Sequence, residues 1–294
     1  TTFIKLDPWQ NSFQSDKRGS DNYFALHEML KWRRRRRGER GQEIDPVYVG
    51  VFDFSKAYDR VSIPRLMAKL REKGVGGRVM RTIVSMYQNR TSHVKLHGKR
   101  SRSFPMRRGV AQGCVLSPLL FNIYVDDLLQ RIRETEIGVS VGKALLAALA
   151  FADDLVLGGD NRTMRRYIQI LEEWCDENDF ALNVGKCAMM LVRQALDDMP
   201  ECKVGGKAVA GVTRFKYLGI LVTNTGSPAE WARQVKSRAN ALLRAYYREL
   251  TSFNLSVKLR LDLLNSLVIS LYRFGEEFIP DDIARNLSSV LPTY

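Results

Sequence analysis

The spacing of apolar residues along the chain alternates between a strand-like and a helix-like pattern. Short, nearly continuous apolar runs predict buried strands, and the first of them is also rich in β-branched and aromatic residues. These runs are Val47–Phe52, Leu145–Phe151, Leu155–Leu157, Cys187–Val192 and Phe215–Val222. A tight turn between the second and third runs predicts a hairpin with two adjacent aspartates at its tip.

Apolar positions three and four residues apart predict helices between these strands. The predicted helices cover residues 22–32, 64–73, 78–87, 117–134 and 161–178, and a further helical segment with basic polar faces covers residues 227–278. Strands and helices are therefore interleaved in most of the chain and followed by a helical segment. This order predicts an α+β fold with a helical appendage.

Three aspartates fall at strand ends or at the hairpin tip: Asp53, Asp153 and Asp154. Burying anions side by side is costly unless a cation neutralises them, and hard divalent metals prefer carboxylate oxygens. If the strand before Asp53 lies beside the hairpin, the three carboxylates converge on a site that suits two magnesium ions. The structural alternative is a solvated acidic turn, because Asp is common in turns.

Other candidate metal ligands do not form such a group. The pair Asp126–Asp127 lies within a predicted helix, where consecutive side chains diverge by about 100°, and is interpreted as surface charge. His93 and His97 are predicted on one solvated strand face, too far apart to share a metal. The four cysteines are widely spaced, which favours a reducing intracellular compartment without distinguishing the nucleus from an organelle.

Composition adds a strong positive charge to this picture. The 294 residues carry 46 Lys and Arg against 32 Asp and Glu, a formal net charge of +14, which favours polyanionic partners, nucleic acid before acidic membrane. No apolar run reaches the roughly 18 residues of a membrane span, so no membrane partner is expected. One run is interpreted either as solvated charge or as a phosphate-contacting patch: Arg33, Arg34, Arg35, Arg36 and Arg37.

Several segments, taken in order, resemble the motifs of reverse transcriptases of the non-LTR retrotransposon type. The resemblance extends over nearly the whole chain, in the family's order and spacing. It covers Val51–Asp59 (motif A), Gly109–Asn122 (motif B), Phe151–Asp154 (motif C), Leu182–Lys186 (motif D), Phe215–Gly219 (motif E), Gln10–Leu26 (a fingers segment) and Lys258–Tyr272 (thumb helices).

The resemblance implies a right-hand polymerase fold with an antiparallel-sheet palm. The implied domains are partial fingers (1–46), palm with the first catalytic strand (47–64), the return between fingers and palm (65–115), palm (116–226) and helical thumb (227–294). The implied activity is RNA-directed DNA polymerisation, with an RNA template, a nucleic-acid primer and deoxynucleoside triphosphates as partners. Proteins of a ribonucleoprotein complex are further implied partners.

The resemblance also implies roles for individual residues. Asp53, Asp153 and Asp154, with the backbone carbonyl of Phe54, would hold two Mg²⁺ ions, for which Mn²⁺ could substitute. Lys186 matches a lysine that assists the leaving pyrophosphate, and its structural alternative is an ordinary surface lysine.

Further roles concern the nucleotide and the nucleic acid. Tyr58 matches an aromatic steric gate that excludes a 2′-hydroxyl; its structural alternative is a core aromatic. Gln112 and Gly113 would lie along the template and the incoming base. The remaining implied nucleic-acid contacts are a grip on the primer strand (Phe215, Tyr217, Leu218, Gly219) and basic thumb positions along the duplex backbone (Lys236, Arg238, Arg244).

The sequence departs from the family pattern at several points. Ala111 stands where the family usually carries a basic residue, and Val115 replaces a usual proline. The upstream fingers segment with its triphosphate-gripping residues does not precede Thr1, so activity of this chain alone stays open. Two alternatives therefore stand beside the polymerase: a catalytically dispensable, polymerase-derived RNA-binding or structural subunit, and an RNA polymerase of similar fold, against which Tyr58 argues.

Overall fold

The computed structural model describes residues 4–36, 46–192, 201–252 and 254–275. Only the backbone of Arg33–Arg36 is described, so the side chains of the predicted arginine patch, and Arg37 entirely, lie outside the described residues. The chain divides into two compact units. The first unit comprises residues 1–22 and 41–212, and the second comprises residues 23–40 and 213–294. This division does not test the predicted ranges of fingers, palm and thumb, which stay a prediction.

The helices follow the predicted apolar pattern closely. Pro64 lies in the first turn of its helix, where the missing N–H costs nothing, and Gly74 follows that helix at a φ of +79°. In chain order the helices are α1 (Gly19–Arg36), α2 (Ala57–Arg60), α3 (Ile63–Glu72), α4 (Gly77–Tyr87), α5 (Ser117–Arg133), α6 (Asn161–Asn178), α7 (Ala229–Ala245), α8 (Tyr247–Thr251), α9 (Val257–Leu264), a π-helical turn (Asn265–Ile269) and α10 (Ser270–Arg273).

The strands are short, and most of them pair as hairpins. In chain order they are β1 (Tyr48–Phe52), β2 (Thr91–Ser92), β3 (Lys95–Leu96), β4 (Lys99–Arg100), β5 (Phe104–Pro105), β6 (Val139–Val141), β7 (Ala144–Leu146), β8 (Ala148–Phe151), β9 (Asp154–Gly159), β10 (Ala188–Leu191), β11 (Lys203–Val204), β12 (Lys207–Ala208), β13 (Ala210–Gly211), β14 (Arg214–Tyr217) and β15 (Ile220–Thr223).

A five-stranded sheet in the order β13–β10–β1–β9–β8 forms the centre of the first unit. β1 lies in its middle and pairs antiparallel with β9 and with β10. This central position explains the almost continuous apolar run of β1, because a strand covered on both faces cannot alternate with polar residues. On the outer side of β8, Gln10 bridges to Ala150, so residues of the N-terminal segment cover the sheet edge.

Helices α5 and α6 pack on this sheet. α6 contacts β1 and β9 with the predicted apolar face, on which Tyr167, Leu171 and Trp174 are fully buried. α5 contacts β8, and its residues are almost continuously buried between Leu120 and Asp126 because α3 and α6 cover its other sides. The sheet and these three helices form the core on which the candidate site rests.

Four aromatic rings lie beneath the segment that follows β1. Phe180 stacks on Tyr124 with ring centroids 5.5 Å apart, and it meets Trp174 edge-on at 5.2 Å. The ring of Phe54 lies 5.8 Å from Phe180 and 5.9 Å from Trp174. Such edge-on and offset contacts add to the stabilisation from apolar burial. The Phe54 side chain is thereby fixed in the core, directly after Asp53.

The predicted surface charge is wrong for Asp126, whereas Asp127 is partly exposed. Asp126 is 3% exposed, accepts a hydrogen bond from the backbone N–H of Asp7 at 2.6 Å, and forms an ion pair with Lys73. Asp127 accepts a hydrogen bond from Lys69 Nζ at 2.7 Å. Both lysines lie on or just after α3, so the two aspartates hold α3 against α5. Buried carboxylates of this kind need a cation or hydrogen-bond donors, and both are supplied.

Two predicted strands are interrupted by turns. The predicted strand Leu145–Phe151 is divided, because β7 pairs with β6 and only β8 pairs with β9. The predicted strand Phe215–Val222 reverses at Leu218 and Gly219, whose φ values are +46° and +89°, to give the β14–β15 hairpin. The apolar pattern continues through both turns, so it does not reveal where the strands end. The placement of His93 and His97 on one strand face is also wrong: both are exposed, but neither lies in a strand.

The second unit combines α1 with the β14–β15 hairpin and the helices from α7 onward. Leu30 of α1 lies against Gly226, where an added Cβ would approach the Leu30 Cβ to 3.0 Å. α7 contacts β15, and Trp231 of α7 meets the ring of Phe274 edge-on at 6.3 Å. Within the residues described, no helix combines the length and apolar character that crossing a membrane requires.

Candidate active site

The sheet register brings the predicted aspartates together. β1 pairs with β9 as far as Phe52 opposite Leu155, so Asp53 directly follows this last pair in β1 and Asp154 directly precedes it in β9. β8 pairs with β9 so that Phe151 lies opposite Asp154, which leaves Ala152 and Asp153 as the hairpin tip. All three aspartates therefore lie at one edge of the sheet, as the sequence predicted for a strand beside the hairpin.

The hairpin tip is held by residues near the N-terminus. Ala152 has a left-handed φ of +55°, a conformation that costs a non-glycine residue about 1 kcal/mol. Its N–H donates to Gln10 Oε1 at 3.0 Å and to Ser12 Oγ at 2.9 Å. Gln10 and Ser12 are completely buried, and Ser12 also contacts Asn122. Sequence reasoning missed this support, because only the burial of these polar residues reveals it.

Burial and mutual repulsion dominate the electrostatics of the site. Burial raises the pKa of Asp153, and the charge of Asp53 raises it further. Burial likewise raises the pKa of Asp154, with smaller contributions from Asp153 and Asp53. Lys186 opposes both shifts. A cation between the carboxylates would relieve this repulsion.

The three carboxylates fit a divalent metal by donor type and by charge. Carboxylate oxygens are the hard ligands that such ions prefer. Among the described residues, the cation that forms an ion pair with the group is Lys186, whose side chain is largely exposed. In the described ranges, no group of three or more His, Cys, Asp or Glu side chains is arranged so that it could hold a metal ion as it stands. Phe54 can contribute only backbone, since its ring is buried among Trp174 and Phe180.

The backbone after β1 is fixed by a second hydrogen-bonded segment. Ser55 N donates to Ala181 O at 2.8 Å, and Asn183 N donates to Asp53 O at 2.8 Å. Lys186 N in turn donates to Asn183 O at 2.8 Å, which closes a turn beneath the lysine. The Lys186 side chain is 69% exposed, and its Nζ lies 3.5 Å from Asp53 Oδ2. The motif-D-like lysine therefore reaches the carboxylate group from the solvent side.

The Tyr58 side chain is partly buried and packs against a neighbouring ring. Its ring stacks on that of Phe121 with centroids 4.8 Å apart and planes inclined by 9°. Phe121 is completely buried, so it gives Tyr58 a rigid backing. Burial raises the pKa of Tyr58, and the charge of Asp153 adds to the rise. One face of Tyr58 thus packs on the core while its edge borders the carboxylates.

The glycine loop before α5 joins the same region. Gly109 has a φ of +85°, and a Cβ on it would lie 3.0 Å from Asp59 Cα, so only glycine fits. Val110 N donates to Tyr58 O at 2.9 Å. Gln112 borders the cleft described next. Gly113 is exposed with a φ of +80° and open space around it, so its glycine serves the backbone conformation rather than a close approach.

An open cleft of about 520 Å³ joins these residues. Six predicted site residues line it, namely Asp53, Phe54, Tyr58, Gln112, Asp153 and Lys186, whereas Asp154 is not among its lining residues. Two cations that sequence reasoning did not select, Lys56 and Arg60, also line it. Their position within the Asp53–Asp59 segment (Lys56) or directly after it (Arg60) was the available signal. The cleft is lined by Asp53, Phe54, Ser55, Lys56, Ala57, Tyr58, Arg60, Gln112, Asp153, Asn183 and Lys186.

The predicted primer-gripping and thumb residues belong to the second unit. Tyr217 is buried, Phe215 is half-buried, and Leu218 and Gly219 form the hairpin turn. The predicted basic positions lie on α7: Lys236 is half-buried, whereas Arg238 and Arg244 are exposed.

Comparison with known proteins gives a consistent result. The family model described as "Reverse transcriptase (RNA-dependent DNA polymerase)" matches residues 5–222. A Pol polyprotein of the type-1 retrotransposable element R2 from Popillia japonica is 31% identical over 184 residues, which is 59% of this chain and 30% of the relative. The R2DM element polyprotein of Drosophila melanogaster is 29% identical over 241 residues, 77% of this chain and 22% of the relative.

A solved structure supports the fold. Telomerase from Candida tropicalis, in complex with a fragment of telomeric RNA, superposes with a TM-score of 0.52 over 94% of this chain and 45% of the telomerase chain, at 12% identity. The predicted α+β right-hand polymerase fold is thereby confirmed. The chain spans less than a third of the length of the two retrotransposon relatives. Reverse transcriptases use divalent metal ions, an RNA template and nucleotide substrates.

Proposed function

The chain belongs to the reverse transcriptase family, and we propose that it is the RNA-directed DNA polymerase domain of an element of the non-LTR retrotransposon type. The observation that carries this proposal is that Asp53 and Asp154 adjoin the last residue pair of β1 and β9, while Asp53, Asp153 and Lys186 line one cleft. The reaction joins the 3′-oxygen of a primer to the α-phosphorus of a deoxynucleoside triphosphate. The bond from that phosphorus to pyrophosphate breaks.

The metal set of the proposal is two Mg²⁺ ions, with Mn²⁺ as a substitute. Asp53, Asp153, Asp154 and the backbone of Phe54 would hold them. When bound, such ions lower the pKa of the attacking hydroxyl and neutralise the charge that develops on the phosphate oxygens. The three carboxylates fit this task because burial, with their mutual repulsion added to it, raises the pKa of Asp153 and Asp154, and cations relieve that repulsion.

The side chains around the carboxylates position the nucleotide and move a proton. Lys186 donates a proton to the departing pyrophosphate, which its exposed ammonium can recover from solvent. Tyr58, backed by Phe121, blocks the space of a ribose 2′-hydroxyl. Lys56 and Arg60 add positive charge for the triphosphate at the rim of the cleft. Gln112 and Gly113 contact the template and the incoming base.

The partners of the proposal are an RNA template and a nucleic-acid primer. The β14–β15 turn grips the primer strand, and Lys236, Arg238 and Arg244 of α7 follow the phosphate backbone. Arg33–Arg37 form a further phosphate-contacting patch. Residues 1–46, 47–64 with 116–226, and 227–294 act as partial fingers, palm and thumb. The free thiols of the four cysteines suit a reducing intracellular compartment.

A second candidate function is an RNA-binding subunit whose catalysis is dispensable. It is favoured by one observation: among the described residues the carboxylates do not form a ready metal shell. Primer extension on an RNA template, with deoxynucleotides and Mg²⁺, separates the two candidates. Templated extension that fails with ribonucleotides supports the polymerase. A folded protein that binds the primed template and never extends it supports the second candidate.

A further inference from the structure

The stretch between Glu72 and Asp126 has an unusual charge balance. It contains ten Lys and Arg residues and no Asp or Glu. Most of the net charge of +14 therefore comes from this segment. None of these cations lines the catalytic cleft, so nucleotide binding in the cleft does not explain their number. A surface with so many cations and no internal anions attracts a polyanion.

The centre of this stretch is a projecting two-stranded arm, which we define as Thr91–Pro105. Its base is the β2–β5 pair, and its outer part is the β3–β4 pair with a turn at His97 and Gly98. Between the two pairs, Ser101 N donates to Val94 O at 2.9 Å. Every residue from His93 to Pro105 is exposed. A two-stranded ribbon without a covering layer is only marginally stable in water, so a bound partner would order it.

The arm presents cations and apolar side chains together. Val94, Leu96 and Phe104 are 58%, 66% and 42% exposed. Within the described ranges, no Lys or Arg of the arm forms an ion pair with a carboxylate. Free cations suit phosphates, and exposed apolar and aromatic side chains suit unstacked bases. The arm cations are Lys95, Lys99, Arg100 and Arg102.

The residues that flank the arm are hydrogen-bonded to one another and to the segment that lines the catalytic cleft. Arg90 donates from its guanidinium to Arg108 O at 2.9 Å and to Gly109 O at 2.7 Å. Gly109 N donates to Val61 O at 2.8 Å, and the next residue donates to Tyr58 O at 2.9 Å. The segments that lead into and out of the arm are therefore linked by hydrogen bonds to the backbone of Tyr58, which lines the cleft.

We propose that the arm, Thr91–Pro105, binds single-stranded RNA and guides it toward the cleft. Single-stranded RNA is the partner because its bases are free to stack on Phe104 while its phosphates meet the arm cations; a duplex offers phosphates alone. An acidic membrane would use the charge and the apolar residues but would have no use for the link to Tyr58. The claim that the bound RNA is the template rests on the proposed function, whereas RNA binding by the arm does not.

The test uses labelled single-stranded oligouridine and the full chain, without nucleotides. Replacing Lys95, Lys99, Arg100 and Arg102 by Gln should weaken binding by about tenfold or more and lower the salt dependence by about 0.7 per lost phosphate contact. The matched control replaces four exposed cations elsewhere in the first unit by Gln, which removes the same charge: Lys143, Arg162, Arg165 and Arg166. The control should retain nearly the parental affinity.

A second variant tests the stacking. Phe104→Ala leaves the charge intact and should weaken single-strand binding by about fivefold or more, with duplex RNA affinity unchanged. Equal losses in the arm and control variants would overturn the proposal. So would equal losses for duplex and single strand, or a loss seen only with phosphatidylserine vesicles. A parent chain that binds RNA through the arm but never extends a primer would contradict the proposed function alone.

Discussion

Lys186 Nζ lies 3.5 Å from Asp53 Oδ2, although 69% of the Lys186 side chain is exposed to solvent. An ion pair this open contributes little to stability, because solvent screens it and the flexible side chain loses entropy. The lysine is nevertheless the cation that opposes the raised pKa of Asp153 and Asp154. Its position at the edge of the carboxylates therefore points to chemistry rather than to folding.

Replacing Lys186 should separate catalysis from stability. Lys186→Ala should lower kcat for primer extension by about 10²-fold, the usual effect of losing a proton donor, with the midpoint of thermal unfolding unchanged. Lys143→Ala, which also removes an exposed lysine of the first unit, should leave kcat at the parental value. A Lys186→Ala variant that raises only KM for the nucleotide would show a binding role instead.

Tyr58 should control the choice of sugar. Because its ring is held against Phe121, it cannot move aside for a 2′-hydroxyl. Tyr58→Val should raise kcat/KM for ribonucleotides relative to deoxynucleotides by about tenfold or more, since the discrimination depends on a steric clash. Tyr58→Phe keeps the ring and should keep the discrimination. Incorporation of single ribonucleotides measures the ratio, and unchanged selectivity in the Val variant would make Tyr58 a core aromatic only.

The ion pair of Asp126 with Lys73 should matter for stability. Asp126→Asn leaves the lysine beside a neutral group and should lower the free energy of unfolding by about 3 kcal/mol, as for other broken buried pairs. Asp127→Asn should cost less, because that side chain is 37% exposed. Urea unfolding of both variants gives the comparison. Parental stability of Asp126→Asn would show that the ion pair with Lys73 does not stabilise the fold.

Asp160 gives a pH-dependent contribution at the start of α6. Its carboxylate accepts a hydrogen bond from Thr163 N at 2.7 Å, which lowers the pKa of Asp160. A lowered pKa means that the stabilisation is present above the unfolded pKa of 3.8 and is lost as the pH falls through the folded value. Asp160→Ala should cost about 1 kcal/mol at neutral pH.

The control for this prediction is Asp160→Ser, which keeps a cap without a charge. Its free energy of unfolding should change less than that of the parent between about pH 5 and pH 3. Parallel pH dependence in the parent and the Ser variant would mean that the Asp160 charge does not contribute.

Strong local patterns were predictable from the sequence, and contacts between distant segments were not. The apolar run of β1 and the helical face of α6 predicted their burial, since each pattern reflects the surface that covers it. The motif order predicted the fold. Asp126 was misread because its partners, Asp7 and Lys73, lie 119 and 53 residues away. The spacing of apolar residues within one helix does not predict a contact with such a distant segment.

The candidate site shows the same division. The convergence of Asp53 with the hairpin followed from strand ends, and the register agrees with it. Lys56 and Arg60 were overlooked, because only the three-dimensional structure shows that these cations line the cleft. The support of Ala152 by Gln10 and Ser12 was equally hidden, since polar residues near a terminus usually predict surface.

The most direct measurement is the single-turnover rate of RNA-templated primer extension by Asp153→Asn, with deoxynucleotides and Mg²⁺. The substitution keeps the shape of the side chain and removes its charge. The account predicts a loss of about a thousandfold or more relative to the parent, with unchanged thermal stability and unchanged RNA affinity. Extension by Asp153→Asn at the parental rate would contradict the assignment of Asp53, Asp153 and Asp154 as the catalytic carboxylates.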